Sequence, residues 1–130
     1  GYTVEETLLL PDEEAALKAQ LIRLADGRQL NLILTTGGTG FSPRDITPEA
    51  TMAVATRNAP GIAEAIRYHS LTITPRGMLS RGASVLRGKT LIVNLPGSPK
   101  AVREDLEYLL PSLEHGVRIA AGLDGECARK

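Results

Sequence analysis

Apolar positions along this chain come either as short unbroken runs or as helical stripes, and the two kinds take turns. Residues 2–10, "YTVEETLLL", end in an unbroken apolar run and predict a strand that Pro11 stops. The next stretch, "DEEAALKAQLIRLADG" at 12–27, predicts a helix. Asp12 is placed to cap it, acids fill its first turn, Leu17, Leu21, Ile22 and Leu24 form its buried stripe, and Gly27 ends it. "LNLILTT", 30–36, carries Leu and Ile without alternation, as a strand buried on both faces does. A glycine-rich loop follows. Thr47-Pro48-Glu49 then opens a helix expected to run to about Asn58, with Thr47 as cap and Pro48 at the first helical position. "PGIAEAIRYHS" starts another helix at Pro60, and residues 71–88 predict irregular chain or short strands. "KTLIVNL", 89–95, is a second fully buried strand. "PGSPK" turns it into a long C-terminal helix, capped by Ser98 and kinked or broken at Pro111.

This alternation predicts one α/β domain over residues 1–130, layered around a mostly parallel sheet. In such sheets ligands collect at the carboxyl ends of the strands. Three loops are expected to leave those ends side by side: "LPDEE", "TTGGTGFSPRD" and "NLPGSPK".

Composition narrows the class. The chain has 130 residues, 42% of them apolar, enough for one domain with a real core. Fifteen basic and fifteen acidic residues cancel, so no general charge favours nucleic acid or an anionic membrane. Phe41, Tyr2, Tyr68 and Tyr108 are too scattered for a base-stacking platform. No run approaches a membrane span and no signal peptide is evident, so a cytoplasmic setting is expected. Cys127 is the single cysteine, which excludes disulfides and cysteine metal sites within the chain and leaves a bystander thiol.

The chemistry concentrates in "TTGGTGFSPRD", residues 35–45. It is not a dinucleotide fingerprint, because Pro43 stands where the third glycine belongs. "RGKT" at 87–90 imitates the end of a phosphate-binding P-loop, but Ala83 replaces the first glycine and a strand follows instead of a helix. Gly37, Gly38 and Gly40 still allow successive N–H groups to face outward just before a helix N-terminus, an arrangement that cradles phosphate. A tight strand-to-helix turn without a ligand would use the same residues. Asp12 is most simply a helix cap, and Asp45 a loop residue bonding its own backbone. If the topology holds, both carboxylates meet at the mouth of the loop. Two carboxylates beside a phosphate cradle call for a divalent cation between them, and Mg²⁺ is the ordinary solution. Arg44, Arg81 and Lys100 are positioned to offset the remaining negative charge. Ser80 has no histidine or lysine partner that would make it a nucleophile, and neither His69 nor His115 belongs to a triad or a metal spacing.

Several separated motifs, in order, carry a resemblance. "PDE", "LILTTGGTGFSPRDITPEAT", "PG" at 60–61, "MLSR" and "RGKTLIVNLPGSPKAV" together resemble the molybdenum-cofactor adenylyltransferases, of the gephyrin G-domain and bacterial Mog type, over about residues 10–119. That resemblance implies the molybdopterin-binding α/β fold in three layers, a homotrimer, and transfer of AMP from Mg-ATP to molybdopterin with release of pyrophosphate. It assigns Asp12 and Asp45 as the essential, metal-associated carboxylates. Thr36, Gly37, Gly38, Thr39, Gly40 and Arg44 match substrate-lining positions, as do Ser80, Arg81, Pro96, Gly97 and Ser98. Family members carry a further strand and helix before the segment matching "GYTVEE", so the chain is expected to be N-terminally incomplete, with unpaired backbone beside the gap. The alternative functions are a catalytically weak molybdopterin-binding or scaffold module and a nucleotide-directed domain of the competence-damage type. Retention of both Asp12 and Asp45 favours catalysis.

Overall fold

The computed structural model describes residues 1–123. Cys127 lies outside the described residues. Four helices flank a four-stranded sheet: α1 (Glu14–Ile22), α2 (Thr47–Val54), α3 (Pro60–Ile73) and α4 (Pro99–Ala120), with β1 (Leu32–Thr36), β2 (Arg57–Asn58), β3 (Ser84–Arg87) and β4 (Thr90–Leu95). The spatial order is β1-β4-β3-β2.

The α/β class follows the sequence expectation, and the pairing is more mixed than expected. Only β1 and β4 are parallel, Leu32 opposite Leu91 through Thr36 opposite Leu95. The pairs β3–β4 and β2–β3 are antiparallel. The cause is local: Gly88-Lys89 is a two-residue turn that folds β3 back onto β4, and a two-residue connection can join only antiparallel strands. The "RGKT" stretch is that hairpin.

Every residue of β4 is buried, as its unbroken apolar run requires. Side chains alternate across the strand, so Ile92 packs with Ile33, Val85, Leu21, Leu24 and Val54 under α1 and α2. Leu91, Val93 and Leu95 face the other way, onto Ile66 of α3 and Leu109, Leu113 and Val117 of α4. Three layers result.

Several expected boundaries move. Residues 2–10 form no strand, because a strand exists only through a paired neighbour and none lies beside them. Instead Glu6 ion-pairs with Arg23 and Arg28 beyond α1. The first helix starts at Glu14 with Glu13 as an N-cap that makes no side-chain bond, so Asp12 is not its cap. Its end is a π-helical turn, Arg23–Gly27, that leaves Ile22 exposed while Leu21 and Leu24 are buried. The N-cap of α2 is Ile46, so Thr47 is already helical, and that helix stops at Val54 because Arg57–Asn58 pairs with β3. Residues 71–88 are more ordered than expected: α3 extends to Ile73, a 3₁₀ turn covers Pro75–Leu79, and β3 follows. The last helix runs unbroken through Pro111.

One edge of the sheet is open. In the parallel ladder Leu91 donates to Asn31 O and Gly37 donates to Leu95 O, so odd-numbered residues of β1 bond to β4. The peptide groups of Leu32, Leu34 and Thr36 therefore point away from the sheet. The expectation of unpaired backbone is met at this strand, where Leu34 is exposed.

Candidate functional site

The carboxyl ends of β1 and β4 deliver two loops to the same place. Gly37 follows β1, Gly97 follows β4, and a methyl group built on Gly97 would lie 3.4 Å from Gly37 Cα. The two backbones therefore run side by side with no side chain between them. Gly37 N–H donates to Leu95 O and extends the ladder one step into the loop.

Gly38 adopts a left-handed φ of +71°, and a Cβ there would sit 2.2 Å from Thr47 Oγ1. Gly38 C=O accepts from Thr47 N, so the loop turns directly into α2. Thr39 is buried and its carbonyl accepts from Arg81 N at 2.8 Å. Asp45 lies at the far end of the same loop. One carboxylate oxygen, Oδ2, accepts from Ser42 N at 3.0 Å, and Asp45 N donates to Ser42 O. This is the local backbone bond that an aspartate in a turn readily makes. Among the described residues no hydrogen bond engages its other oxygen.

Arg81 reaches this loop from the segment after the 3₁₀ turn. Its Nε donates to Gly40 O at 2.8 Å and its Nη2 to Asp45 O at 2.7 Å. Two further bonds, at 2.6 and 3.2 Å, go to the Glu49 carboxylate in the first turn of α2. The guanidinium holds the Glu49 carboxyl below its ordinary value through these bonds, and Glu49 raises Arg81 in return. Four of the five guanidinium donors are thus committed within the protein, leaving one hydrogen for any direct substrate contact.

Asn94, near the end of β4, ties the edge together. Its amide donates to Thr35 Oγ1 of β1 and Thr51 Oγ1 of α2, and its carbonyl accepts from Ala83 N. The buried amide is satisfied at both ends and three elements are fixed at one point. Ser98 caps α4 as expected, accepting from Ala101 N. Ser80 is half-buried and accepts from Gly82 N at 3.3 Å. Arg44 is exposed, and Lys100 forms a loose pair with Glu104.

Beside Thr36 and Gly97 opens a groove of about 510 Å³, walled by Val102, Leu106 and Leu110 of α4 with Arg103 at its rim. Of the anticipated residues, the structure gathers Thr36–Gly40, Asp45, Arg81 and Gly97 around one edge. Asp12 is exposed ahead of α1, and among the described residues no hydrogen bond or ion pair ties it to the glycine loop. Sequence reasoning missed Glu49 and Asn94. The only signal for Asn94 was a polar residue inside the run "LIVNL", and for Glu49 an acid one turn into a helix that also suited the helix dipole.

Several known proteins resemble this chain in sequence and in fold. The chain is 50% identical over 102 residues to the molybdopterin adenylyltransferase of Escherichia coli K12, covering 78% of this chain and 52% of that protein. It thus spans about half the length of that relative. It is 47% identical over 109 residues to gephyrin of Dictyostelium discoideum, covering 84% of this chain and 15% of that protein. The crystal structure of the molybdopterin biosynthesis enzyme MoaB from Thermus thermophilus superposes with a TM-score of 0.81 at 52% identity, over 86% of this chain and 70% of that one. Residues 1–115 match the family described as "Probable molybdopterin binding domain", a span that takes in all four strands and both neighbouring loops, and the chain belongs to that family.

Proposed function

We propose that this chain carries the adenylyl-transfer site of a molybdopterin adenylyltransferase, moving AMP from ATP to the terminal phosphate of molybdopterin with release of pyrophosphate. The observation that carries the reading is the side-by-side approach of Gly37 and Gly97, which puts two loops able to present N–H groups at one sheet edge, the first of them ending in Asp45. Its support from likeness is the 50% identity to a protein of that name.

The reaction joins two anions, so the protein must position them and neutralise charge. The N–H groups of Gly38, Thr39 and Gly40 would hold phosphate oxygens, since those of Gly37 and Thr47 are committed within the protein and Pro48 has none. Thr36, Pro96, Gly97 and Ser98 line the approach, with Arg44 and Ser80 at the periphery. Among the described residues no three His, Cys, Asp or Glu side chains are grouped to cage a metal ion. A carboxylate with one uncommitted oxygen fits the other mode, in which Mg²⁺ arrives on the phosphates and takes one or two protein carboxylates. Asp45 and Asp12 would hold it there. When bound, Mg²⁺ neutralises the charge that builds between the two phosphates. Asp45 is held by Ser42 N–H in one orientation, and so meets the nucleotide without first ordering its own loop.

The homotrimer that the resemblance implies belongs to the same proposal. It is supported by the apolar surface that Tyr68, Leu71, Ile73, Met78 and Leu79 leave exposed on α3 and the turn after it. A cytoplasmic setting is proposed with it, and no described helix is long and apolar enough to cross a membrane. The test is mass detection of adenylylated molybdopterin after the pure chain is mixed with Mg-ATP and molybdopterin. Product that accumulates only with all components is expected. Retained molybdopterin binding without product would leave the binding or scaffold role instead.

A further inference from the structure

Arg81 and Glu49 form a unit whose bonds all serve one loop. Arg81 stands 41 residues from Gly40 and 36 from Asp45, yet takes a carbonyl from each. Those carbonyls lie on opposite limbs of the loop 40–45. A planar fork that binds both at 2.7–2.8 Å fixes the separation of the limbs. The Arg81 backbone adds a third tie, to Thr39 O. Glu49 completes the fork from α2, the helix onto which the loop turns.

Glu49 also changes what the guanidinium can do. An arginine held only by two carbonyls remains a strong ligand for any triphosphate nearby. With a carboxylate already seated on Nη1 and Nη2, one guanidinium hydrogen is left for such a ligand and the fork stays on the loop. Both roles point to geometry, not to substrate charge. On the adenylyl-transfer reading, we propose that the Glu49–Arg81 ion pair is the positioning element of the carboxylate loop, holding the backbone of Gly40 and Asp45 so that the Asp45 carboxylate meets the nucleotide in a single orientation.

Lysine keeps the charge at this position but not the fork, because one ammonium cannot span two carbonyls and a carboxylate. The experiment uses Arg81→Lys and Glu49→Gln in the full chain, with hydrogen exchange of the amides of residues 39–46 and steady-state kinetics on each. Exchange in that segment is expected to quicken on the order of tenfold or more in Arg81→Lys and less in Glu49→Gln. In the same variants kcat is expected to fall on the order of tenfold to a hundredfold with KM for ATP little changed, as misplacement of a reacting group requires. Unchanged loop exchange with a raised KM for ATP would overturn the proposal and make Arg81 a direct phosphate ligand. Unchanged exchange and unchanged kinetics would overturn it too. If Arg81→Lys fails to fold, Glu49→Gln decides by the same two readouts, since it keeps the shape of the side chain. If the wild-type chain shows no turnover, the activity reading fails by itself, and a loop that still loosens in the variants upholds the clamp.

Discussion

Gly38 has no room for a side chain. Its left-handed φ strains any L-residue, and a methyl group would collide with Thr47 Oγ1 at 2.2 Å. Gly38→Ala is expected to lower stability by about 2 kcal/mol or more, read from urea denaturation, with Thr47 forced to give way. Asp45 should behave in the opposite manner. Asp45→Ala removes one loop bond, to Ser42 N, so stability should fall by only about 1 kcal/mol. Adenylyl transfer should fall on the order of a hundredfold or more. Melting and turnover measured on one preparation check the pair; a variant that melts and turns over normally would remove Asp45 from the mechanism. At this scale the sequence was legible where backbone chemistry decides: the glycines of 37–40, and Ser98 as a cap. It was misleading for Asp12 and Thr47, whose capping signals were each displaced by one residue, to Glu13 and Ile46. Both cap positions are filled without a side-chain bond, a geometry that no residue preference announces.

Elements were legible as far as their partners were. Both apolar runs are strands where they were expected, but only β4 is buried at every position; β1 lies at the open edge with Leu34 and Thr36 exposed, because no strand covers it there. Residues 57–58 and 2–10 were not legible, because pairing is decided by what lies alongside and not by their own residues. The last helix shows the same limit: Pro111 sits exposed within it, where a lost backbone bond is tolerable. Pro111→Ala is expected to raise stability by roughly 1–3 kcal/mol, visible as a higher melting temperature. Asp105, in the N-terminal half of the same helix, is 2% exposed and its Oδ2 has no hydrogen-bond partner. Burial pushes its carboxyl up, nearby His69 partly offsets this, and Glu104 adds to it. A carboxyl that binds its proton more tightly when folded favours folding below its unfolded value, near ~3.9, and that contribution is lost as pH rises through the folded value. Asp105→Asn should therefore stabilise the protein at pH 7, by about 1 kcal/mol or more. Urea titrations at pH 7 and pH 3.5 check the sign: the gain should shrink in acid, and a gain that grew there would contradict it.

Across the whole molecule, two arginines hold the first ten residues by way of Glu6, whose carboxyl they lower to about 2. A depressed carboxyl supports the folded arrangement above its unfolded value and loses that support as pH falls toward the folded one. Between about pH 4.5 and pH 2 the segment should come away from Arg23 and Arg28. Added salt should loosen it at neutral pH. Hydrogen exchange or proteolysis of residues 1–10 reads both effects, and a segment equally protected at pH 2 and pH 6 would count against the tether. The layering of the molecule was legible from the alternation of runs and stripes. The hairpin of β3 on β4 was not, since residues 71–88 predicted only irregular chain or short strands, with nothing in them to name β4 as the partner.

The side-by-side run of Gly37 and Gly97 also bears on how this protein can diverge. Spacing between most binding loops is a matter of rotamers, and selection can adjust it one side chain at a time. Here it follows the separation of neighbouring strands, roughly 4.7–4.9 Å; the φ of +84° at Gly37 strains any side chain, while a methyl group at Gly97 would meet the opposite backbone at ordinary contact distance. Variation in what the site accepts is freest at the tip between Phe41 and Arg44, which is exposed and borders that spacing without setting it. A library aimed at new substrate preference should randomise those four positions and leave Gly37 alone.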